Sequence, residues 1–187
     1  MPISINASSL HASDPQTINT YINILKKYNV DPAMVEIELT ETAVVSEYES
    51  VRKLFDSFQL NGIKTAMDDF GSGYSVLNTI VDIPVDVIKI DRGFITSCLE
   101  TDRGIYFLKH LIGMIQNLGY QIICEGVETD EQIEILRQIG CDEIQGYWYS
   151  KPLKMEDYKK LLQTEKISKG GGKTPKQTKS HKICLMQ

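Results

Sequence analysis

"VEIELTE" (residues 35–41) places Val35, Ile37 and Leu39 on one side of an extended chain and Glu36, Glu38 and Thr40 on the other. One side is apolar enough to lie under helices, while the other carries carboxylates towards its C-terminal end. A central strand of an open, doubly wound sheet is usually apolar on both faces. A barrel lumen that opens to solvent at its C-terminal mouth fits this strand better. "VDVIKID" (85–91) repeats the arrangement, with Ile88 and Ile90 opposed to Val87, Lys89 and Asp91.

Outward from these two segments, short β-branched runs alternate with amphipathic stretches. "PISIN" (2–6) predicts a strand, followed by a helix over about 15–29 capped by Asp14, with Pro15 at its first position. The 35–41 strand precedes a helix near 47–60, and "IKTAMDDF" (63–70) precedes a short one near 75–81. The 85–91 strand leads to a helix over roughly 102–118, with Gly119 as its stop signal. "QIICEGVE" (121–128) leads to 130–139, ended by Gly140, and "DEIQGYWYS" (142–150) leads to 155–164. Six βα units in a row define an α/β fold with a parallel sheet and crossover helices. We expect a partial TIM-type (β/α) barrel of about six consecutive units out of the eight.

The chain has 187 residues, 42% of them hydrophobic, which is enough for one globular domain with a proper core. No apolar run approaches the roughly 20 residues of a membrane span, and the N-terminus does not read as a signal peptide. Cys98, Cys124, Cys141 and Cys184 are scattered, with no CxxC and no metal-like spacing. They read as reduced thiols of a cytoplasmic protein. The net charge of −5 is uneven: Lys166–Gln187 holds six lysines and no acid, so the other 165 residues carry −11. Such an acidic body matches a nucleic acid polymer poorly, and a phosphate ligand would need bound cations to supply attraction. We therefore expect one domain over 1–164 and a basic, disordered tail over 165–187.

The polar residues that end the six strands are Asn6, Glu38 with Glu41, Asp68 with Asp69, Lys89 with Asp91, Glu125 with Glu128, and Gln145. In parallel α/β folds, ligands bind at this strand edge. The group contains no histidine or cysteine, so its oxygen donors suit a hard cation, Mg2+ or Mn2+. Two such ions about 3.5–4 Å apart would activate a water and stabilise an in-line phosphoryl displacement. Lys89 could hold the attacking water or offset phosphate charge, or it could form an internal salt bridge. Metal-assisted phosphate chemistry leads among the readings, and enolate-forming barrels use similar carboxylates.

The segments "SINASSL" (4–10), "IELTET" (37–42), "MDDFGSGYS" (67–75), "VIKIDRGFI" (87–95), "ICEGVET" (123–129) and "GCDEIQGYWYSKPL" (140–153) resemble, in order and spacing, those of the EAL-domain family. This family comprises bacterial phosphodiesterases that linearise cyclic di-GMP to pGpG. The resemblance implies that Asn6, Glu38, Asp68 and Asp69 are metal ligands. It further implies that Lys89 positions the hydrolytic water, that Glu125 is the general base, and that Gln145 and Asp91 lie at the substrate. Glu41 would brace the 69–75 loop, whose Gly71 and Gly73 let it close over substrate and which contributes to dimerisation. Glu128 would support the site from behind. Sensory or cyclase domains would accompany the domain in a full-length parent. The family's Glu-Ala-Leu strand, with its metal-ligand Glu and a nearby phosphate-holding Arg, is not found in this sequence. The expectation is thus a domain lacking its first two strands, impaired as a phosphodiesterase. The alternative is a catalytically inactive module that binds cyclic di-GMP or a protein.

Three smaller signals carry less. "GGGKT" (170–174) lacks the glycine a P-loop needs at position 167, which is Ile, and follows no strand. "CLMQ" at the terminus matches a prenylation box that bacteria do not use. Trp148, between two tyrosines, reads as core or as the wall of a guanine pocket.

Overall fold

The computed structural model describes residues 2–8, 11, 14, 16–73, 80–161 and 181–182. The seven strands in it are β1 (Ile3–Asn6), β2 (Val35–Thr40), β3 (Lys64–Phe70), β4 (Val87–Ile90), β5 (Gln121–Cys124), β6 (Glu143–Gln145) and β7 (His181–Lys182). They form one sheet in sequential order, and each adjacent pair is parallel. A doubly wound sheet reverses its strand order at a switch point, and this sheet does not. Sequential parallel order is that of a (β/α) barrel wall, as the carboxylate-bearing strands require.

Two apolar layers flank the sheet. The outer one is large: Ile37, Leu39, Met67, Ile88, Ile90 and Ile122 meet the helices there, and all are essentially inaccessible. The lumen side holds a separate small cluster, Ala66, Val87 and Ile123. Each fully buried Ile, Leu or Val contributes about 1.5–3 kcal/mol relative to exposure, so the outer layer dominates the stability of the fold. β1 is an edge strand, and its Ile3 and Ile5 remain 43% and 36% exposed.

The helices are α1 (Thr17–Lys27), α2 (Glu41–Ser46), α3 (Tyr48–Leu60), α4 (Arg92–Leu99), α5 (Asp102–Asn117), α6 (Asp130–Ile139) and α7 (155–161). α6 matches its expected limits and has a complete capping box between Thr129 and Gln132, with Gly140 left-handed at its end. α5 ends as Gly119 turns left-handed and donates its N–H to the Gln116 carbonyl. The start of α1 differs from expectation: its N-cap is Gln16, while Asp14 Oδ1 accepts the Gln16 N–H at 2.9 Å in a turn just ahead. Pro15 and most of the expected 75–81 helix lie outside the described residues.

Two short helices directly after strands were not expected. α2 carries the β-branched Val44 and Val45, and α4 carries Gly93, Ile95 and Thr96, so neither reads as a helix by propensity. Their caps decide the matter: Thr40 Oγ1 accepts the Ala43 N–H, and Asp91 Oδ1 accepts the Phe94 N–H at 3.0 Å. The 165–187 tail lies outside the described residues except His181 and Lys182, which pair with β6 as a short strand. No helix among the described residues is long and apolar enough to cross a membrane.

Candidate functional site

β4 places Lys89 on the lumen face, above Val87 and level in register with Ile123 of β5. The side chain rises from that apolar floor into carboxylates of β2, β3 and the residue directly after β5. Its Nζ lies 2.9 Å from Glu38 Oε1, 3.3 Å from Asp68 Oδ1 and 2.6 Å from Glu125 Oε1. Lys89 is only 3% exposed. Burial by itself would lower its pKa, but the three carboxylates, Glu125 foremost, overcome this and hold it well above the ordinary lysine value. Glu125 is raised in turn, first by burial and then by Asp68 and Glu38, against the pull of Lys89.

Two adjacent strand residues normally point to opposite faces, yet Asp68 and Asp69 both serve the mouth. The β3–β4 register slips between Met67 and Phe70, and Asp69 sits at φ 57°, a left-handed backbone that Asp tolerates better than most residues. The Asp69 N–H donates to Asp68 Oδ1 at 3.0 Å, which fixes one carboxylate against the other's backbone. Burial, followed by the charges of Asp68 and Asp91, pushes the Asp69 carboxyl up despite Lys89. An oxygen from each of Asp68, Asp69 and Glu125 lies within 4.8 Å of the others. Three carboxylate oxygens converging on one point, with no thiolate or imidazole, fit a hard divalent cation.

The other predicted site residues fall around this group. Asn6 is level with Glu38 across the β1–β2 ladder. Glu38 itself is taken up by Lys89, outside the three-carboxylate group. Glu41 opens α2, buried, and its Oε2 accepts the Gly71 N–H at 2.8 Å. Gly71 is left-handed, and a Cβ there would enter the Phe94 ring; a Cβ at Gly73 would strike the Glu41 carboxylate. The rest of the 69–75 loop, from 74 onward, lies outside the described residues. Asp91 caps α4, so one of its oxygens is occupied by backbone. Gln145 ends β6, where its carbonyl accepts the Val127 N–H at 3.2 Å. Glu128 pairs with Arg92 at 2.8 Å on the surface beside the mouth. Trp148 is not core: it is 38% exposed, and its Nε1–H donates to Asp130 Oδ1 at 2.7 Å.

Sequence reasoning passed over Arg92. Gly126 is left-handed, and a Cβ there would overlap the Arg92 stem, so the arginine lies across the segment that follows Glu125. The glycine directly after a strand-end acid was the available signal.

A parallel (β/α) wall whose strand ends gather carboxylates and one buried lysine defines a barrel-type, cation-dependent class of protein. The EAL domain family matches residues 1–152, and the chain belongs to that family. It is 35% identical over 155 residues to the oxygen sensor protein DosP of Escherichia coli (strain K12), covering 83% of this chain and 19% of that protein. The chain thus spans about a fifth of the length of the curated relatives it matches. In structure it resembles the phosphodiesterase PaMucR in complex with c-di-GMP, with a TM-score of 0.76 and 27% identity over 84% of this chain and 64% of that one. It likewise resembles the EAL domain of DcpA from Mycobacterium smegmatis, with a TM-score of 0.81 and 30% identity, covering 88% of this chain and 74% of that one.

Proposed function

We propose that this is a cyclic di-GMP phosphodiesterase domain, of the kind that hydrolyses cyclic di-GMP to pGpG with Mg2+ or Mn2+ in bacterial second-messenger signalling, with that activity impaired in this chain. The observation that carries this reading is the convergence of Asp68, Asp69 and Glu125 beside Lys89 at the strand ends. In this reading Asp68 and Asp69 would hold the cations, with Asn6 and, once released from Lys89, Glu38 on the adjoining strands as the further ligands. Bound cations supply Lewis acidity and lower the pKa of water at the phosphate. Glu125, whose carboxyl burial raises above the ordinary value, would take a proton from the attacking water as general base. Lys89 orients that water and offsets charge as the new P–O bond forms and the ester P–O bond breaks. Gln145 and Asp91 border the substrate, Glu128 steadies Arg92, and Glu41 holds the start of the 69–75 loop through Gly71.

A homodimer through the 69–75 region, sensory or cyclase domains in a longer parent and a cytoplasmic setting belong to the same proposal. A second reading draws on the ion pairs themselves. A lysine whose ammonium is already engaged by three carboxylates is less free to hold a water, which favours a catalytically inactive module that binds cyclic di-GMP or a protein. Incubation with cyclic di-GMP and Mn2+, followed by mass spectrometry, separates the two. Appearance of pGpG supports hydrolysis, whereas saturable binding without pGpG replaces it with the second reading.

A further inference from the structure

We propose that Cys124 and Cys141 are a reversible disulfide-forming pair, a modification site independent of the hydrolytic reading. The two residues are 17 positions apart in the sequence and belong to different elements, yet their sulfurs lie 3.2 Å from each other. Cys124 ends β5, completely buried, in register with Ile144 of β6. Cys141 follows Gly140 at the end of α6 and is half-buried; its N–H donates to the Leu136 carbonyl at 3.0 Å, and its thiol also contacts the Glu143 carbonyl at 3.0 Å. Both backbones are therefore fixed by the ladder and the helix end before any bond forms. A disulfide needs a sulfur separation of about 2.05 Å, so closure asks for a movement of roughly 1 Å, within reach of small side-chain rotations.

Relative burial sets the order of events. Cys141, the less buried of the two, reacts first: its thiolate attacks a small-molecule disulfide such as oxidised glutathione and expels one glutathione thiolate. Cys124 then gives up its proton and attacks the Cys141 sulfur, expelling the second. Two protein thiols and one oxidised glutathione thus become one protein disulfide and two reduced glutathiones. Dithiothreitol reverses the exchange. The loop so closed, 125–140, begins with Glu125 and contains α6, so the bond fastens the segment that leaves the candidate site to the strand that delivers it.

The test uses the full chain, equilibrated with oxidised glutathione or with dithiothreitol, alkylated and digested with trypsin under non-reducing conditions. Arg137 lies between the two cysteines, so their tryptic peptides travel separately unless bridged. The expected result is a bridged pair containing Cys124 and Cys141, released by dithiothreitol. It should be accompanied by a rise in Tm of about 5 °C or more on oxidation, from constraint of the unfolded chain. Cys141→Ser, a change at the less buried of the two positions, should abolish both effects, whereas Cys98→Ser and Cys184→Ser should leave them unchanged. A lasting glutathione adduct on Cys141 with Cys124 still a thiol, or a bridge through Cys98 or Cys184, would overturn the proposal.

Discussion

At the N-terminal ends of the strands, Asp86 Oδ2 accepts the Thr65 N–H at 2.8 Å and the Thr65 hydroxyl at 3.1 Å. Nearby, Asp142 Oδ2 accepts the Ile122 N–H at 3.1 Å and the Gln116 amide at 2.9 Å. At the C-terminal ends, Glu38, Asp68 and Glu125 instead crowd one lysine, and Asp69 presses against Asp68. The acids at the start of the strands are thus held by neutral donors of neighbouring elements, which fastens the sheet. Those at the finish share too few donors for their charge. A surplus of negative charge held rigidly on packed strands is an arrangement for recruiting a cation, whereas acids held by backbone amides have little left to offer a ligand.

The sharpest way to break this contrast is Lys89→Met. It removes the cation and leaves three carboxylates of the mouth uncompensated, so we expect a loss of about 3–5 kcal/mol in urea denaturation and no pGpG formation. Added Mn2+ should recover part of that stability, because an ion bound to the folded state alone stabilises it by mass action. A loss under about 1 kcal/mol would show that the ion pairs do not hold the mouth together. Next comes Asp86→Ala, which orphans the Thr65 N–H. It should cost about 1–3 kcal/mol while leaving Mn2+ affinity in calorimetry unchanged. Equal damage to metal binding would erase the distinction between the two ends.

pH sharpens the comparison further. Lys89 has a folded pKa above its ordinary 10.5, so the folded state retains a proton that the unfolded chain releases. Its contribution is complete below 10.5 and falls away as pH rises towards the higher folded value. Above about pH 10.5 the wild type should therefore lose up to about 1.4 kcal/mol per pH unit more than Lys89→Met does. Parallel slopes for the two proteins would contradict this. Asp69→Asn is milder for the fold, since Asn accepts the left-handed backbone and relieves repulsion from Asp68 and Asp91. Stability should change by less than about 0.5 kcal/mol, while Mn2+ affinity drops tenfold or more. The smallest effect overall belongs to Glu128→Gln: its exposed pair with Arg92 should contribute no more than a few tenths of a kcal/mol (about 0.5 at most) in urea denaturation, with Mn2+ affinity unchanged.

How much of this was legible in the sequence follows from the range of the forces involved. Alternation in 35–41 and 85–91 is local, and it identified the outward Ile37, Leu39, Ile88 and Ile90 and the inward Glu38 and Lys89 correctly. Strand order and parallel pairing followed from the regular spacing of the six units. The short helices α2 and α4 were missed because Thr40 and Asp91, single capping side chains, outweigh the poor propensity of the residues behind them. The sequence likewise left the state of Lys89 open between a water-holding role and a salt bridge. Its three partners come from β2, β3 and the end of β5, and only the register between strands brings them together. Cys124 and Cys141 were dismissed as scattered for the same reason: their contact arises from the return of the chain through α6.

The left-handed turn at Asp69 has a consequence for how the gene can change. Met67 and Phe70 both belong to the outer core although they are three residues apart, an odd interval where a regular strand requires an even one. The slip at Asp69 absorbs the difference and restores the parity of everything downstream. Removing one residue there would straighten the strand but forfeit one of the paired acids. Inserting one after Asp69 would also make the interval even and leave Phe70 outward, but the straightened strand would turn Asp69 to the apolar outer face. The irregularity therefore serves the paired acids rather than the core: a change of length by one residue in either direction can restore the alternation, and in either direction the mouth loses one of its two adjacent carboxylates.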